Sequence, residues 1–180
     1  ASSSRSSDEL PSFVKVYTAK KHTLKGFFRR VRSRNEARNL LFFAKIGIAV
    51  PKVLAWGVRR NRLGRIFEGF IITETIVGSM QLDHFIEQHC PNRREPAGGE
   101  CRDAIIRQLG KWTRAIHEHS FFHQDLKWRN ILVRMKGNQP ELFWIDCPKG
   151  GFNFVPVHRK HLQIKDCATL DKLARFHCTA

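Results

Sequence analysis

The chain has 180 residues, of which 42% are hydrophobic, and a formal net charge of +16 at pH 7. No apolar run reaches the roughly 18 residues that a membrane-spanning helix needs. The five cysteines include no CxxC pair, which argues against a disulfide framework or a cysteine-based zinc site. The excess positive charge favours an anionic partner: a nucleic acid, an anionic membrane surface or a phosphorylated ligand.

The first 78 residues predict one helical segment among several strands. A Ser-rich, polar stretch covers residues 1–11 and reads as a disordered tail. Runs of β-branched and aromatic residues then predict strands, and an apolar stripe predicts a helix. In chain order these are a strand at 12–19, a mostly helical segment at 20–45, a turn and strand at 47–58, a basic hairpin tip at 59–65 and a strand at 67–77. Gly78 ends the last of these strands.

The remainder of the chain predicts helices around a β-hairpin. The elements are a helix at Leu82–His89, a Pro/Gly-rich loop at 90–100, an amphipathic helix at 101–119, two short β segments at 130–135 and 141–146, and a final helix at 163–177. We therefore predict an α+β protein with the tail at 1–11, an N-terminal lobe at 12–77 and a C-terminal lobe at 78–180, with a cleft between the lobes.

A polar loop, within FFHQDLKWRNILV (121–133), lies between the predicted helix and the hairpin. Asp125 and Asn130 are close enough in sequence for one loop to present a carboxylate and an amide to the same cleft. Asp146 follows an apolar β segment, where a buried carboxylate is costly unless it meets a cation. Asn130 and Asp146 offer the oxygen ligands that Mg²⁺ uses alongside phosphates and water. The alternative is a set of polar groups that are satisfied within the protein.

Lys15 lies in the first predicted strand among apolar neighbours, and a buried lysine needs an anionic partner. Glu36 is the only acidic residue between residues 10 and 67, which makes it the candidate carboxylate within this segment. The alternative is a lysine whose tip reaches solvent and a solvated glutamate.

Together these residues resemble the protein-kinase-like superfamily. H-x-D-L-K-x-x-N-I-L-V, followed by an apolar strand ending in Asp146, resembles its catalytic loop and metal-binding aspartate. VKVY with Glu36 resembles its lysine–glutamate pair. The segments GIAVPKVLAWG, ITETIVG and FWIDCPKG resemble the lipopolysaccharide core kinase group (Kdo/WaaP, with InaA-like proteins). The resemblance covers residues 12–175 and implies a two-lobed protein-kinase-like fold with a reduced N-terminal lobe and a short C-terminal lobe.

The resemblance implies transfer of a phosphoryl group from ATP with Mg²⁺. By position, Asp125 would orient or deprotonate the acceptor hydroxyl, and Lys127 would neutralise charge on the transferred group. Asn130 and Asp146 would hold Mg²⁺ on the nucleotide phosphates.

The resemblance also implies a nucleotide site. Lys15, held by Glu36, would contact the α- and β-phosphates. The stretch from Glu74 to Ile76 would supply backbone contacts to adenine, and Leu132 would form an apolar floor beneath it.

The sequence departs from the protein-kinase pattern at three points, in the phosphate-covering loop, after Asp146 and in the region that would dock a peptide. No Gly-rich loop precedes Lys15, so either the chain is truncated or the phosphates are covered differently. Asp146 is followed by Cys-Pro rather than Phe-Gly, which argues against a flipping switch like that of regulated protein kinases. No A-P-E sequence occurs, so a peptide-docking platform is missing. A sugar or lipid-linked acceptor is therefore favoured. We expect His123 to brace the loop and Asp166 to anchor it.

A basic run, KKHTLKGFFRRVRSRNEAR (20–38), holds eight Lys or Arg and one Glu. Since each basic residue near an anionic membrane adds about 1 kcal/mol of attraction, this run predicts peripheral membrane contact, although a solvated helix face is the alternative. We predict a cytoplasmic kinase, peripheral at the inner membrane, that phosphorylates a sugar hydroxyl of the lipopolysaccharide inner core or another anionic glycolipid. Nucleic acid is disfavoured as a partner, and the sequence predicts no oligomeric state.

Two rival functions stay open at this point. One is another small-molecule kinase of the aminoglycoside phosphotransferase type, against which the charge of +16 argues because such acceptors are cationic. The other is a catalytically silent kinase-like protein that binds an anionic membrane or nucleic acid. The absent Gly-rich loop supports this second rival, and the Asp125, Asn130 and Asp146 set opposes it.

Overall fold

The computed structural model describes residues 11–18, 31–64, 66–90 and 96–178. Its first part is a three-stranded antiparallel sheet of β1 (Ser12–Thr18), β2 (Val53–Arg60) and β3 (Ile66–Glu74), in the order β1-β3-β2. Lys15 in β1 stands opposite Ile71 in β3. Because β1 is an edge strand and its side chains alternate between faces, the sheet can present Lys15 on the face toward the rest of the chain.

Helix α1 (Arg32–Lys45) packs on this sheet. Its buried positions Ala37, Leu40 and Phe43 recur every three residues, which is the spacing of one helix face. The helix ends before Gly47, whose φ of +79° is the left-handed conformation that commonly follows a helix C-terminus. The same buried face carries Glu36, so the helix brings a carboxylate under the sheet.

The second part of the chain holds the remaining helices and two small antiparallel sheets. One sheet has the order β4-β6-β7 and the other pairs β5 with β8. The elements are β4 (Met80–Gln81), α2 (Leu82–His89), α3 (Pro96–Glu118), β5 (Phe121–Phe122), a 3₁₀ turn (Trp128–Asn130), β6 (Ile131–Lys136), β7 (Gln139–Trp144), β8 (Gly151–Phe152) and α4 (Pro156–Cys178). The predicted hairpin at 130–146 is the β6–β7 pair.

Aromatic side chains join the two parts into one core. The ring of Phe43 in α1 lies 5.1 Å from that of Phe121 in β5 and 5.4 Å from that of Trp144 in β7, between ring centroids. The backbone N–H of Trp144 donates to Ala49 O at 2.9 Å. Both parts bury residues in a single hydrophobic cluster, so α1 cannot shift far relative to the β6–β7 hairpin without opening that cluster.

Several boundaries differ from the prediction. Helix α3 begins at Pro96, inside the expected loop at 90–100, and α4 begins at Pro156 rather than at 163. Strand β3 ends at Glu74, short of 77. Of the expected helical segment at 20–45, residues 20–30 lie outside the described residues, as does the tail at 1–10. The division of the chain at residues 77 and 78 stays a prediction.

The surroundings of Lys15 are also corrected. We expected apolar burial, but its neighbours Val14 and Val16 are exposed and its own side chain is 28% exposed. The alternation of the strand explains this, because Val14 and Val16 point to the opposite face from Lys15. None of the helices in the part of the chain that the structure describes combines the length and the apolar character needed to cross a membrane.

Candidate active site

Lys15 and Tyr17 are two residues apart on β1, so both point toward α1. Lys15 Nζ lies 3.3 Å from Glu36 Oε1, and the Tyr17 hydroxyl donates a hydrogen bond to Glu36 Oε2. Burial raises the pKa of the Glu36 carboxyl above its ordinary value, although Lys15 and Tyr17 both oppose this. Burial, followed by the hydrogen bond to Glu36, raises the pKa of the Tyr17 hydroxyl. Tyr17 therefore stays protonated and acts as a donor that fixes the carboxylate.

Lys15 also contacts a second carboxylate, from the far end of the chain. Its Nζ lies 2.5 Å from Asp146 Oδ1. Asp146 follows β7 and has a φ of +56°, a left-handed conformation that aspartate tolerates better than most residues. The side chain of Asp146 is 37% exposed, so it is less buried than the sequence suggested. The structure thus brings Lys15, Glu36 and Asp146 together around one ammonium group.

Helix α1 holds the backbone after Asp146 through a residue that the sequence analysis missed. Asn39, three residues after Glu36 and on the same helix face, donates from Nδ2 to Cys147 O at 2.7 Å and to Gly150 O at 3.0 Å. One helix face therefore positions both carboxylates of the cluster, one directly and one through the backbone of the segment that follows it.

The polar loop predicted from the sequence is held by its own backbone. The N–H of Lys127 and the side-chain Nδ2 of Asn130 both donate to Asp125 O, at 2.9 and 2.8 Å. The N–H of Asn130 donates to Lys127 O at 2.9 Å and closes the 3₁₀ turn that leads into β6. Asp125 and Asn130 are therefore fixed relative to each other before any ligand binds.

Two lysines flank the carboxylate of Asp125. Lys127 Nζ lies 2.7 Å from Oδ1, and Lys149 Nζ lies 3.4 Å from Oδ2. Partial burial raises the pKa of the Asp125 carboxyl, but the hydrogen bonds and charges of the two lysines outweigh it and hold the pKa below its ordinary value. Asp125 is therefore ionised at neutral pH, which a carboxylate needs in order to accept a proton. Lys149 is a second residue that the sequence analysis missed.

Asp166 anchors the start of the loop, as we expected. Its fully buried carboxylate accepts hydrogen bonds from His123 N at 2.9 Å and Gln124 N at 2.7 Å, and from His117 Nε2 at 3.2 Å. Gln124 has a φ of +63°, so this anchor holds a backbone conformation that few residues adopt readily. His117, near the end of α3, is thus a third partner of Asp166.

His123 supports the loop by packing. Its ring is fully buried, stacks on Phe43 at 6.0 Å between centroids and meets Trp144 edge-on at 5.6 Å. Burial lowers the pKa of His123 to about 4, so the ring is neutral at physiological pH. A neutral ring in this aromatic setting fits the expected bracing role better than a role in proton transfer.

Asn130 and Asp146 lie at the same end of the β6–β7 hairpin. Asn130 directly precedes β6, and its carbonyl accepts the N–H of Ile145 at 2.9 Å. Their amide and carboxylate oxygens are hard donors of the type that Mg²⁺ binds together with nucleotide phosphates. In the described residues, no three His, Cys, Asp or Glu side chains form a separate metal-ligand group. An amide and a carboxylate oxygen would suit a cation whose other ligands are phosphates and water.

Several backbone groups in the stretch expected to contact adenine already form hydrogen bonds within the protein. Glu74 N donates to Lys52 O at 2.9 Å, and Thr75 N donates to Pro11 O at 2.7 Å. Ile76 O accepts the Ser79 hydroxyl at 2.6 Å. An adenine contact from this stretch would therefore have to use other backbone groups. Leu132, half-buried on β6, stays a prediction as the apolar floor.

A cavity of about 680 Å³ lies elsewhere, between α3 and α4. Its lining includes Leu109, Trp128 and Leu170, together with His117, a partner of Asp166. Lys15, Asp125 and Asp146 are not part of its lining, so its size has no bearing on the candidate active site.

Comparison with known proteins shows the family to which the chain belongs. The model of the lipopolysaccharide kinase (Kdo/WaaP) family matches residues 16–175. A 3-deoxy-D-manno-octulosonic acid kinase from Actinobacillus succinogenes is 30% identical over 120 residues, which cover 67% of this chain and 45% of that protein. One from Haemophilus influenzae is 27% identical over 121 residues, which cover 67% of this chain and 46% of that protein. The chain thus spans about half the length of these curated relatives.

Two solved structures share the fold. WaaP in complex with acyl carrier protein matches with a TM-score of 0.66 and 21% identity, covering 89% of this chain and 61% of WaaP. The Rio2 kinase–ADP/Mg²⁺–phosphoaspartate complex from Chaetomium thermophilum matches with a TM-score of 0.56 and 15% identity, covering 90% of this chain and 47% of Rio2. The predicted two-lobed protein-kinase-like fold is therefore confirmed.

Proposed function

Because the chain belongs to the lipopolysaccharide kinase (Kdo/WaaP) family, we propose that it transfers the γ-phosphoryl group of ATP to a sugar hydroxyl of the lipopolysaccharide inner core. The protein would act in the cytoplasm, at the inner membrane. One observation carries the proposal: Lys15 bridges Glu36 and Asp146, while Asp125 stands between two lysines on the adjoining loop. Phosphoryl transfer needs a cationic grip on the donor phosphates and a carboxylate beside the acceptor, and these are the two halves of the site.

On the donor side, Lys15 would contact the α- and β-phosphates, with Glu36 and Tyr17 holding it in place. Asn130 and Asp146 would hold Mg²⁺, which when bound neutralises charge on the phosphates. The Rio2 structure, which shares the fold, holds ADP and Mg²⁺. We also propose that the stretch from Glu74 to Ile76 and Leu132 line the adenine site.

On the acceptor side, Asp125 would accept the hydrogen of the attacking hydroxyl. Its lowered pKa keeps it ionised, so it orients the hydroxyl before transfer and takes the proton as the new bond forms. Lys127 and Lys149 would counter the negative charge that the phosphoryl group carries toward the acceptor oxygen.

The names of the relatives support one acceptor sugar in particular. Both curated relatives are 3-deoxy-D-manno-octulosonic acid (Kdo) kinases, so a Kdo hydroxyl is the first acceptor to test. Kdo carries a carboxylate, and the two lysines around Asp125 together with the net charge of +16 suit an anionic acceptor. A cationic aminoglycoside would meet repulsion at the same place.

The test is transfer of label from γ-labelled ATP, with Mg²⁺, to a lipid A precursor bearing Kdo. Asp125→Asn keeps the size of the side chain but removes the base, and we expect it to lower kcat by about 10²-fold or more. Asp103→Asn, an exposed position on α3 that pairs only loosely with Arg107 at 3.9 Å, is the matched control and should keep the full rate.

The donor half is tested separately through Lys15→Met. We expect this variant to raise the KM for ATP and to weaken binding of Mg²⁺-ATP in a thermal-shift titration. If the parent protein binds Mg²⁺-ATP but labels no Kdo-bearing or dephosphorylated core acceptor, the silent kinase-like rival is the better account. If it neither binds ATP nor transfers label, the proposal is wrong.

A further inference from the structure

A group of large apolar side chains stands in solvent just after the acceptor side of the site. Phe154 and Val157 are 72% and 80% exposed. We call this group, with the lysine among it, the aromatic-basic surface; it comprises Phe152, Phe154, Val155, Val157, Lys160 and Ile164. Exposed apolar side chains that cluster in this way are typical of interaction sites.

The base of the aromatic-basic surface is firmly attached to the core. Phe152 pairs with Phe121 across β5 and β8, and its ring lies 5.0 Å from that of Phe42 in α1. The ring of Phe154 stacks on that of Phe152, with centroids 6.2 Å apart and planes 7° from parallel. The N–H of Asn153 between them donates to Ser120 O at 2.8 Å. The aromatic pair is thus presented outward by an ordered support.

Helix α4 continues the surface along one face. Val157, Lys160, His161 and Ile164 follow the spacing of a single helix face, and all four are exposed. The opposite face carries Asp166, which is fully buried against the catalytic loop. The apolar residues of the outer face are therefore not part of the core of the described structure.

The chain segment that forms the surface carries charge of a single sign. Residues 147–165 contain four Lys or Arg and two His, and neither Asp nor Glu. Aromatic and aliphatic side chains surrounded by cations suit the interface of an anionic bilayer, where rings enter the headgroup region and lysines meet lipid phosphates. A second copy of the same surface would bring like charges together, which disfavours self-association.

We propose that the aromatic-basic surface docks the protein on an anionic phospholipid bilayer. The surface begins beside the acceptor carboxylate, because Lys149, two residues before β8, contacts Asp125 at 3.4 Å. Docking would therefore face the Asp125 side of the cleft toward a lipid-borne acceptor. This orientation rests on the proposed function, whereas the membrane binding does not. The aromatic-basic surface is a different part of the chain from the basic run at 20–38, most of which lies outside the described residues.

The test is co-sedimentation with vesicles, without ATP, at physiological salt. The vesicles are phosphatidylcholine alone, or with about one third phosphatidylglycerol. We expect the parent protein to bind only the anionic vesicles, and Phe154→Ser/Val157→Ser to lower the partition coefficient at least tenfold. Leu63→Ser is the matched control, because Leu63 is also 80% exposed but lies on the β2–β3 turn, and its binding should match the parent.

The electrostatic part is tested with Lys160→Gln. We expect about a fivefold loss of binding to anionic vesicles, and a parallel loss in all variants as salt is raised. Lys136→Gln, an exposed lysine at the end of β6, should bind as the parent does.

Three outcomes would overturn the proposal: no binding of the parent to anionic vesicles, equal binding by the Phe154/Val157 double variant, or a concentration-dependent dimer that this variant abolishes. Failure of the proposed function is seen separately, because a soluble, delipidated Kdo acceptor reports transfer without a membrane. The double variant should phosphorylate that acceptor at the parent rate. Vesicle binding without transfer by the parent would leave the docking surface standing and remove the kinase proposal.

Discussion

The carboxylate of Asp166, which anchors the loop that carries Asp125, offers the sharpest test of the structure. Asp166 is fully buried, and its two carboxylate oxygens accept three hydrogen bonds, from His117, His123 and Gln124. Asp166→Asn keeps the volume and removes the charge together with one of the two acceptor oxygens. If the new amide oxygen takes the place of Oδ2, it keeps two donors and turns its NH₂ toward the N–H of Gln124, which lies 2.7 Å from Oδ1 in the parent.

The expected cost follows from those contacts. One hydrogen bond to a charged acceptor is lost, which costs about 2 kcal/mol when the donor stays buried, and the remaining two lose their charge assistance, which adds about 1 kcal/mol. We therefore expect Asp166→Asn to lower the free energy of unfolding by about 3 kcal/mol. For a chain of this size that corresponds to a fall in Tm of about 6–12 °C.

The assay is urea unfolding followed by tryptophan fluorescence, with Asp103→Asn as the control. Asp103 is an exposed carboxylate on α3, so its substitution should change stability by less than about 0.5 kcal/mol. A stability of Asp166→Asn equal to that of the control would refute the argument that this carboxylate holds the loop. Asp166→Asn should also lower the rate of transfer, because Gln124 is adjacent to Asp125.

Three further predictions concern the same region. A Cβ added at Gly150 would lie 2.4 Å from Cys147 Sγ and 2.8 Å from the ring of Phe121. Gly150→Ala should therefore destabilise the protein by about 1–3 kcal/mol in urea unfolding. Gly110→Ala is the control and should not destabilise the protein, because a Cβ at Gly110 in α3 would meet open space. The folded-state pKa of His123, about 4, lies below the ordinary value of 6.5. Because the folded state binds fewer protons between these values, the free energy of unfolding should fall by about 3 kcal/mol as the pH drops from about 6.5 to 4. His123→Phe should remove this part of the pH dependence of stability, and an unchanged profile would contradict the assignment. Lys149 helps to lower the pKa of Asp125, so Lys149→Gln should move the acidic limb of the kcat/KM profile to higher pH, and a limb that stays in place would show that Lys149 does not act on Asp125.

The elements that could be predicted from the sequence are those whose signals are local. Helix α2 was predicted with the bounds Leu82–His89 that it has. Helices α3 and α4 begin at Pro96 and Pro156, earlier than the sequence predicts, and in both the first residue is a proline. The Pro/Gly-rich composition of 90–100 predicts a loop, but the first turn of a helix needs no N–H donor and accepts proline well.

The candidate site divides in the same way. Asp125, Lys127 and Asn130 lie on one loop, so their proximity follows from their spacing. The pairing of Lys15 with Glu36 could be inferred because no other carboxylate was available nearby in sequence. The contact between Lys149 and Asp125 could not, since 24 residues separate them. The path between them is fixed by the β6–β7 and β5–β8 pairings and by the hydrogen bonds of Asn39. The hydrogen bond from Asn39 to Cys147 O joins residues that are 108 positions apart, and no sequence motif indicates it.

The ion pair between Lys15 and Asp146 has a consequence for the order of events in folding. The two residues are 131 positions apart, and closing a loop of that length costs about 4 kcal/mol of chain entropy. This contact can form only after both neighbouring elements have folded, so it contributes little to the folding nucleus. Weakening it should therefore speed unfolding while leaving the refolding rate nearly unchanged. During synthesis, the same spacing means that Lys15 has no second carboxylate partner until Asp146 has left the ribosome.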